Sequence, residues 1–274
     1  MRRFQVGVTL IVVLLILVAI TVIGGLAIRS SILSLKMATV SQAQQLLIQN
    51  SDAALFNVED PNQLVRNMAL NGMFGYIKGE ANVGKELVFC FKSGNTNFFW
   101  LSNASLISWN GTAIQNDGLG PNGFCKMESG FFTSGRSAVI TQIAVKASDR
   151  TNAIAFQHMQ KGTDPESSKK DPAQMYTVYA TSIFPSLAAS SVSDSDINKC
   201  FNSRFNSIPS EKHNELEVEK GIVNADTSLT EEEKTNKVTN LNASKVTVSA
   251  CLSELGVPTH TQVGNYALTQ TLSK

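Results

Sequence analysis

Between Val6 and Ile28 the chain carries no charge, and only Thr9 and Thr21 interrupt its apolar and glycine residues. No water-facing surface element can be built from such a run. As a helix, residues 8–28 would span roughly 32 Å at 1.5 Å per residue, about the thickness of a bilayer's hydrocarbon core. Arg2 and Arg3 precede the run, and Arg29 and Lys36 follow it. The leading arginines favour a cytoplasmic start, although the later cations reduce the asymmetry.

A secretory signal peptide would explain the basic start and the small residues at Gly25-Leu26-Ala27, but its apolar core is normally shorter. A plain membrane anchor would explain the length alone. The helical pattern continues past the membrane surface. No proline occurs before Pro61, and no glycine between Gly25 and Gly72. Val40, Ala43, Leu47 and Ala54 recur at helical spacing, widened by Leu46 and Ala53, with Gln42, Gln45 and Gln49 mainly opposite. One helix of roughly fifty residues is therefore expected, its first half suited to lipid or like helices and its second to packing on a globular domain.

Gly7-Val8-Thr9-Leu10-Ile11-Val12-Val13, after a short leader with two arginines, resembles a type IV prepilin cleavage site. Arg29-Ser30-Ser31-Ile32-Leu33, Lys36-Met37-Ala38 and Asp52-Ala53-Ala54-Leu55 are similar to the N-terminal region of the PilX family of minor pilins. The resemblance covers about the first 58 residues. It implies a leader of residues 1–7 cut between Gly7 and Val8 by a prepilin peptidase, methylation of the new terminus, and a helix over 8–58 with its transmembrane part at 8–28. Residues 59–274 would then be an extracytoplasmic pilin domain. Most pilins carry glutamate where this chain has Val12. PilX-like minor pilins and the GspK-like pseudopilins of type II secretion are similar in lacking it. Asp52 stands where the family more often has glutamate.

The missing carboxylate has a physical counterpart. A glutamate buried in a membrane bundle is costly unless it meets a positive neighbour, such as another subunit's amino terminus. A subunit that enters first has no earlier neighbour, so Val12 is expected to mark a tip or initiating subunit.

Beyond residue 58 the expected class is α+β, the long helix packed on an antiparallel sheet. Lys85 to Lys92, Ser137 to Lys146, Asn152 to Met159 and Gln174 to Ser182 have the composition of strands. Asn116 to Phe124 is turn-rich loop, and Gly162 to Pro172 a polar loop. The tail from Gly256 to Leu272 is expected to return as an edge strand. Glu211 to Lys220 and Thr230 to Leu241 suggest two polar helices joined at Gly221 to Asp226, with Thr230 and Glu233 as a capping box. They form a small helical excursion over 200–251.

Four cysteines, all after residue 85, suit an oxidising compartment and allow three pairings. Cys90–Cys125 and Cys200–Cys251 close the shortest loops and are the expected pairs, with the other two pairings left open by sequence. Asp194, Asp196 and Asn198 alternate like the opening of a calcium loop but lack its sixth-position glycine and twelfth-position glutamate. Otherwise no metal site or cofactor is expected. His158, His213 and His260 lack ligand spacing, and neither Gly135-Arg136-Ser137 nor Ser167 with Lys170 makes a serine nucleophile motif. Phe98, Phe99, Trp100 and Trp109 are expected mostly in the core. The 23 basic and 22 acidic residues give no electrostatic reason to expect nucleic acid.

The resemblance implies a non-enzymatic assembly role. Implied partners are other minor pilins (the FimU, PilV and PilW kinds), the major pilin, the inner-membrane assembly platform, the prepilin peptidase and a PilY-type adhesin. The location would be the inner membrane before assembly and the pilus tip after it. Two alternatives are a type II secretion pseudopilin of the tip complex and a membrane-anchored periplasmic binding domain or enzyme.

Overall fold

A computed structural model describes residues 6–78, 80–82, 84–92, 99–110, 113–133, 137–147, 174–243 and 245–268. The chain divides into two compact units, residues 1–45 and 46–274. The described part of the first is one uninterrupted stretch of helix α1, which runs from Val6 to Val58 over 53 residues. Proline is absent from that length, and Gly24 and Gly25 fall in an otherwise apolar run rich in leucine, isoleucine and valine.

In the second unit α1 ends at Val58, and Asp60 caps the next helix, α2 (Pro61–Met68), by accepting from Asn62 N. Pro61 takes the first helical turn, where its missing N–H is no loss. Helix α3 (Met73–Ile77) follows from Gly72.

Six strands build one antiparallel sheet: β1 (Glu86–Phe91), β2 (Ala104–Trp109), β3 (Ile114–Gln115), β4 (Ile140–Ala147), β5 (Gln174–Ile183) and β6 (Thr259–Leu268). Their order is β3-β2-β1-β4-β5-β6. The α+β expectation holds, and the tail does return as the edge strand β6. The predicted strand at Asn152 to Met159 and the loop at Gly162 to Pro172 lie outside the described residues.

The sheet's two faces follow the two-residue period of a strand. Leu87, Phe89, Ile143, Val145, Tyr176, Val178 and Ala180 meet Ala54, Leu55 and Val58 of α1 with Met73, Phe74 and Ile77 of α3. On the opposite face, Cys90, Ile140 and Ile183 meet α4 (Asp194–Asn202) and α7 (Val248–Glu254), while Val88, Ile107 and Ala144 meet Phe205. Central strand β4 is therefore buried on both faces.

Between α4 and α7 stand α5 (Ser210–Ala225) and α6 (Glu231–Ala243). Helix α5 is longer than the sequence suggests. It runs through Gly221, and the turn falls at 226–230. A side chain there would meet nothing within 4 Å, so this glycine is not a structural stop. The Thr230–Glu233 capping box is present: Glu233 N bonds Thr230 Oγ1, and Thr230 N bonds Glu233 Oε2. The segment is also more than an excursion, because its outer members α4 and α7 form the sheet's second covering layer.

Close backbone approach fixes one turn. A Cβ on Gly123 would stand 2.2 Å from both Ser105 N and Val88 O, so residues 121–124 lie against β1 and β2 only because this residue has no side chain. Gly123 N donates to Ser105 Oγ at 2.9 Å, and Ser105 Oγ donates to Gly120 O at 2.6 Å.

The buried stripe of α1 is narrower than periodicity alone indicates. Ala43, Leu47, Ser51, Ala54, Leu55 and Val58 are buried, whereas Val40, Leu46 and Ala53 are exposed. Leu47 is 1% exposed and Leu46 40%, which makes neighbouring leucines a sharp test. Leu47→Ala should destabilise the domain by roughly 2–5 kcal/mol and Leu46→Ala by well under about 1 kcal/mol, measured by thermal unfolding of the full chain in detergent micelles.

Candidate functional site: the two halves of the long helix

The first half of α1 has a surface that water cannot stabilise. From Leu10 to Leu35 its leucines, isoleucines and valines are all exposed, with Leu10 at 71% and Leu35 at 68%. A continuous apolar surface of this size marks a place for contact with other apolar surface, protein or lipid. Helix α1 is long and apolar enough to cross a membrane. Its polar atoms fit that environment: Thr21 Oγ1 donates to Val18 O at 2.8 Å, so the hydroxyl within the apolar run is satisfied by its own helix. The Gly7–Val8 peptide lies in the first turn of α1, and Val12 is half-exposed on the same helix.

The second half is positioned by hydroxyls and carboxylates around its apolar stripe. Ser51 is fully buried and bonds Ser182 Oγ of β5 at 3.0 Å, and Ser182 in turn bonds Thr141 Oγ1 of β4 at 2.8 Å. Ser51 also donates to Leu47 O. At the margin, Gln262 Nε2 donates to Asp52 Oδ1 at 2.6 Å, and Tyr266 Oη donates to Glu59 Oε1 at 2.9 Å. Both donors come from β6. Tyr266 lies against Gly264, where a Cβ would stand 2.6 Å from its hydroxyl. Burial and the neighbouring Glu59 carboxylate push the Tyr266 phenol well above its usual range.

Two disulfides join Cys90 to Cys125 and Cys200 to Cys251. The first pins the 121–127 segment to β1, where Gln142 adds a bond to Cys125 N at 3.0 Å. The second ties α4 to α7. It closes a 51-residue separation, for which loop-entropy accounting gives roughly 4 kcal/mol.

The structure disperses the acidic alternation. Asp194 and Asp196 lie in the first turn of α4, where residues two apart point roughly 200° from each other. Asp196 accepts from the Ser193 hydroxyl at 2.7 Å, and Asn198 Oδ1 accepts from Met127 N at 2.9 Å. Among the described residues no group of three or more His, Cys, Asp or Glu side chains is placed to hold a metal. Of the histidines, His213 is on α5 and His260 on β6, while His158 lies outside the described residues.

The aromatic group is divided. Phe99 is core, stacked edge-on with Phe89 at 5.6 Å, whereas Trp100 is 47% exposed beneath the Arg66 guanidinium. Trp109 donates to Glu215 of α5. Phe98 lies outside the described residues.

Two fully buried charged residues, Glu86 and Lys212, escape sequence reasoning. Glu86, on β1, accepts from Asn206 N, Asn206 Nδ2 and Ser207 N at 2.8, 3.1 and 2.9 Å. Burial raises its carboxyl above the usual range, although these donors and Lys146 oppose the shift. Lys212 of α5 lies over the rings of Trp109 and Phe205, at 4.8 and 5.4 Å. Burial, aided by Arg204, lowers its ammonium to about 8. Only the alternation of β1 hints at Glu86, since an acid at an inward position demands partners. Nothing local to the sequence marks Lys212.

No family model, curated protein or solved structure matches this chain.

Lys212 supplies a pH test. Its folded value lies below the 10.5 of an ordinary lysine, so between about 8 and 10.5 the unfolded chain holds the extra proton. Its contribution to stability should therefore rise with pH across that window. Thermal unfolding of the full chain at pH 7.5 and pH 10 should show the wild type gaining relative to Lys212→Met.

Proposed function

We propose that this chain is a minor pilin of the PilX kind, held in the inner membrane by α1 and acting in the initiating or tip complex of a type IV pilus. The observation that carries the proposal is the single helix of two surfaces. Residues 10–28 present apolar side chains all round, and residues 47–58 bury one stripe against an antiparallel sheet. A disposable signal has no use for the second half, and a simple anchor has no use for continuity between the two. A filament subunit needs both. The helix must leave lipid for a bundle of like helices while the same rod carries its domain along.

Val12 gives the subclass. Without a carboxylate at that place the helix needs no neighbour's amino terminus and can stand first in an assembly. Its partners on this proposal are other minor pilins, the major pilin, the assembly platform and a PilY-type adhesin. A pseudopilin of a type II secretion tip complex is the second candidate. Its favouring observation is the size of the α4–α7 layer, four helices between Asp194 and Glu254.

Intact-mass analysis of the membrane-bound protein, with and without an active prepilin peptidase, tests the assignment. Loss of residues 1–7 with N-methylation of Val8, dependent on the peptidase, is the expected result. An uncut chain, or a cut after Ala27, would remove both pilin-like assignments. Val12→Glu should lower capture of other minor pilins and reduce piliation. Unchanged piliation and capture would remove the tip assignment. Dependence of protein secretion, with piliation unaffected by deletion, would favour the pseudopilin.

A further inference from the structure

Strand β6 closes one side of the sheet and, among the described residues, lacks the devices that keep such strands apart from other chains. Natural edges are blunted by shortness, lysine, proline or a bulge. This one is ten residues long and pairs with β5 at ten consecutive positions, Gln174↔Leu268 through Ile183↔Thr259. No bulge interrupts the register, proline stops at Pro258, and no Asp, Glu, Lys or Arg occurs from Thr259 to Leu268. Among the described residues no strand pairs with the other side of β6.

The surroundings state what kind of strand would fit. On the α1 face, Gln262 and Tyr266 reach out to Asp52 and Glu59, two exposed carboxylates seven residues apart on the helix. Among the described residues neither forms an ion pair. Seven helical residues span about 10.5 Å, and four strand residues about 13 Å. Cations four apart on an added strand would therefore come near both carboxylates. On the opposite face the edge presents Val263, 50% exposed, and Ala267, alternating with Thr261 and Asn265. Small apolar side chains opposite Val263 and Ala267 suit that side.

We infer that β6 is a docking edge for an extended strand of another protein, a strand that carries basic side chains four residues apart on one face and small apolar ones on the other. Backbone ladder bonds supply the affinity, and the Asp52–Glu59 pair selects the sequence and its register. The pilus assignment is not needed for this edge to act.

The test uses the full chain in detergent micelles and a fluorescent nine-residue peptide, Thr-Val-Lys-Val-Thr-Val-Lys-Val-Thr, with its Lys-to-Glu counterpart as control. Hydrogen exchange should show new protection at alternate amides of β6. The lysine peptide should bind roughly tenfold or more tightly than the glutamate peptide, and Asp52→Asn with Glu59→Gln should abolish that preference. Both substitutions keep an acceptor for Gln262 and Tyr266. Added salt should narrow the gap between the peptides. Equal affinity for the two peptides, or binding without protection of β6, would overturn the inference. So would protection of every β6 amide before peptide is added, or a concentration-dependent dimer, seen by sedimentation, that protects this strand.

Discussion

One face of the sheet in the larger unit is arranged around one stripe of α1. Leu47, Ser51, Ala54, Leu55 and Val58 lie along one side of the helix and are all but closed to solvent. The positions alternate in character: apolar residues fill the space above β1, β4 and β5, and one serine meets two sheet hydroxyls. Ala54 permits close approach, and Ser51 imposes a unique seating, because an unpaired hydroxyl there would cost about 1–3 kcal/mol. The helix is thus fixed in rotation as well as in place. A slip by one residue would turn the stripe by roughly 100° and bring Ala53 or Leu46 inward.

The sheet's other face follows a different rule. Here burial is achieved with help: disulfides hold α4 to α7 and the 121–127 segment to β1, and Glu86 organises the backbone at 206–207. A carboxylate with three N–H donors is a strong local constraint, yet the same burial that strengthens those bonds makes the charge expensive. Lys212 and its two aromatic rings repeat the pattern at the foot of α5. These polar clamps sit beside the apolar cluster of Val88, Ile107, Ala144 and Phe205, where the sheet meets the 205–212 segment.

Much of this was legible from residues alone, and the limits have physical causes. The length of α1 follows from the absence of proline throughout and of glycine after Gly25, and its apolar half from the absence of charge. The capping box at Thr230 and the returning edge strand also follow from local chemistry. The width of the stripe did not, because periodicity cannot say where the domain begins to cover the helix. Val40 fits the period and is nevertheless exposed. Nor could the sequence assign α4 and α7 to the second face: they are short, and their apolar residues acquire a side only once Cys200 meets Cys251. Glu86 and Lys212 depend on partners far away in the chain, at 206–207 and at Trp109, so no window around either residue contains the explanation. The two-surface helix was the most legible part of the candidate site. The carboxylates beside β6 became a feature only when the last strand was placed.

That placement bears on biogenesis. The bonds seating α1 join residues 131, 210 and 207 positions apart, from Ser51 to Ser182, Asp52 to Gln262 and Glu59 to Tyr266. Contacts of such separation form late, after the intervening chain is available. During synthesis the helix would be complete while its landing surface was still missing, and its stripe would stay open until β5 and β6 had been made. An interval of this kind exposes a chain to mispairing. The docking of the first element thus waits on the arrival of the last described one, making β6 the segment whose synthesis decides when the helix can seat.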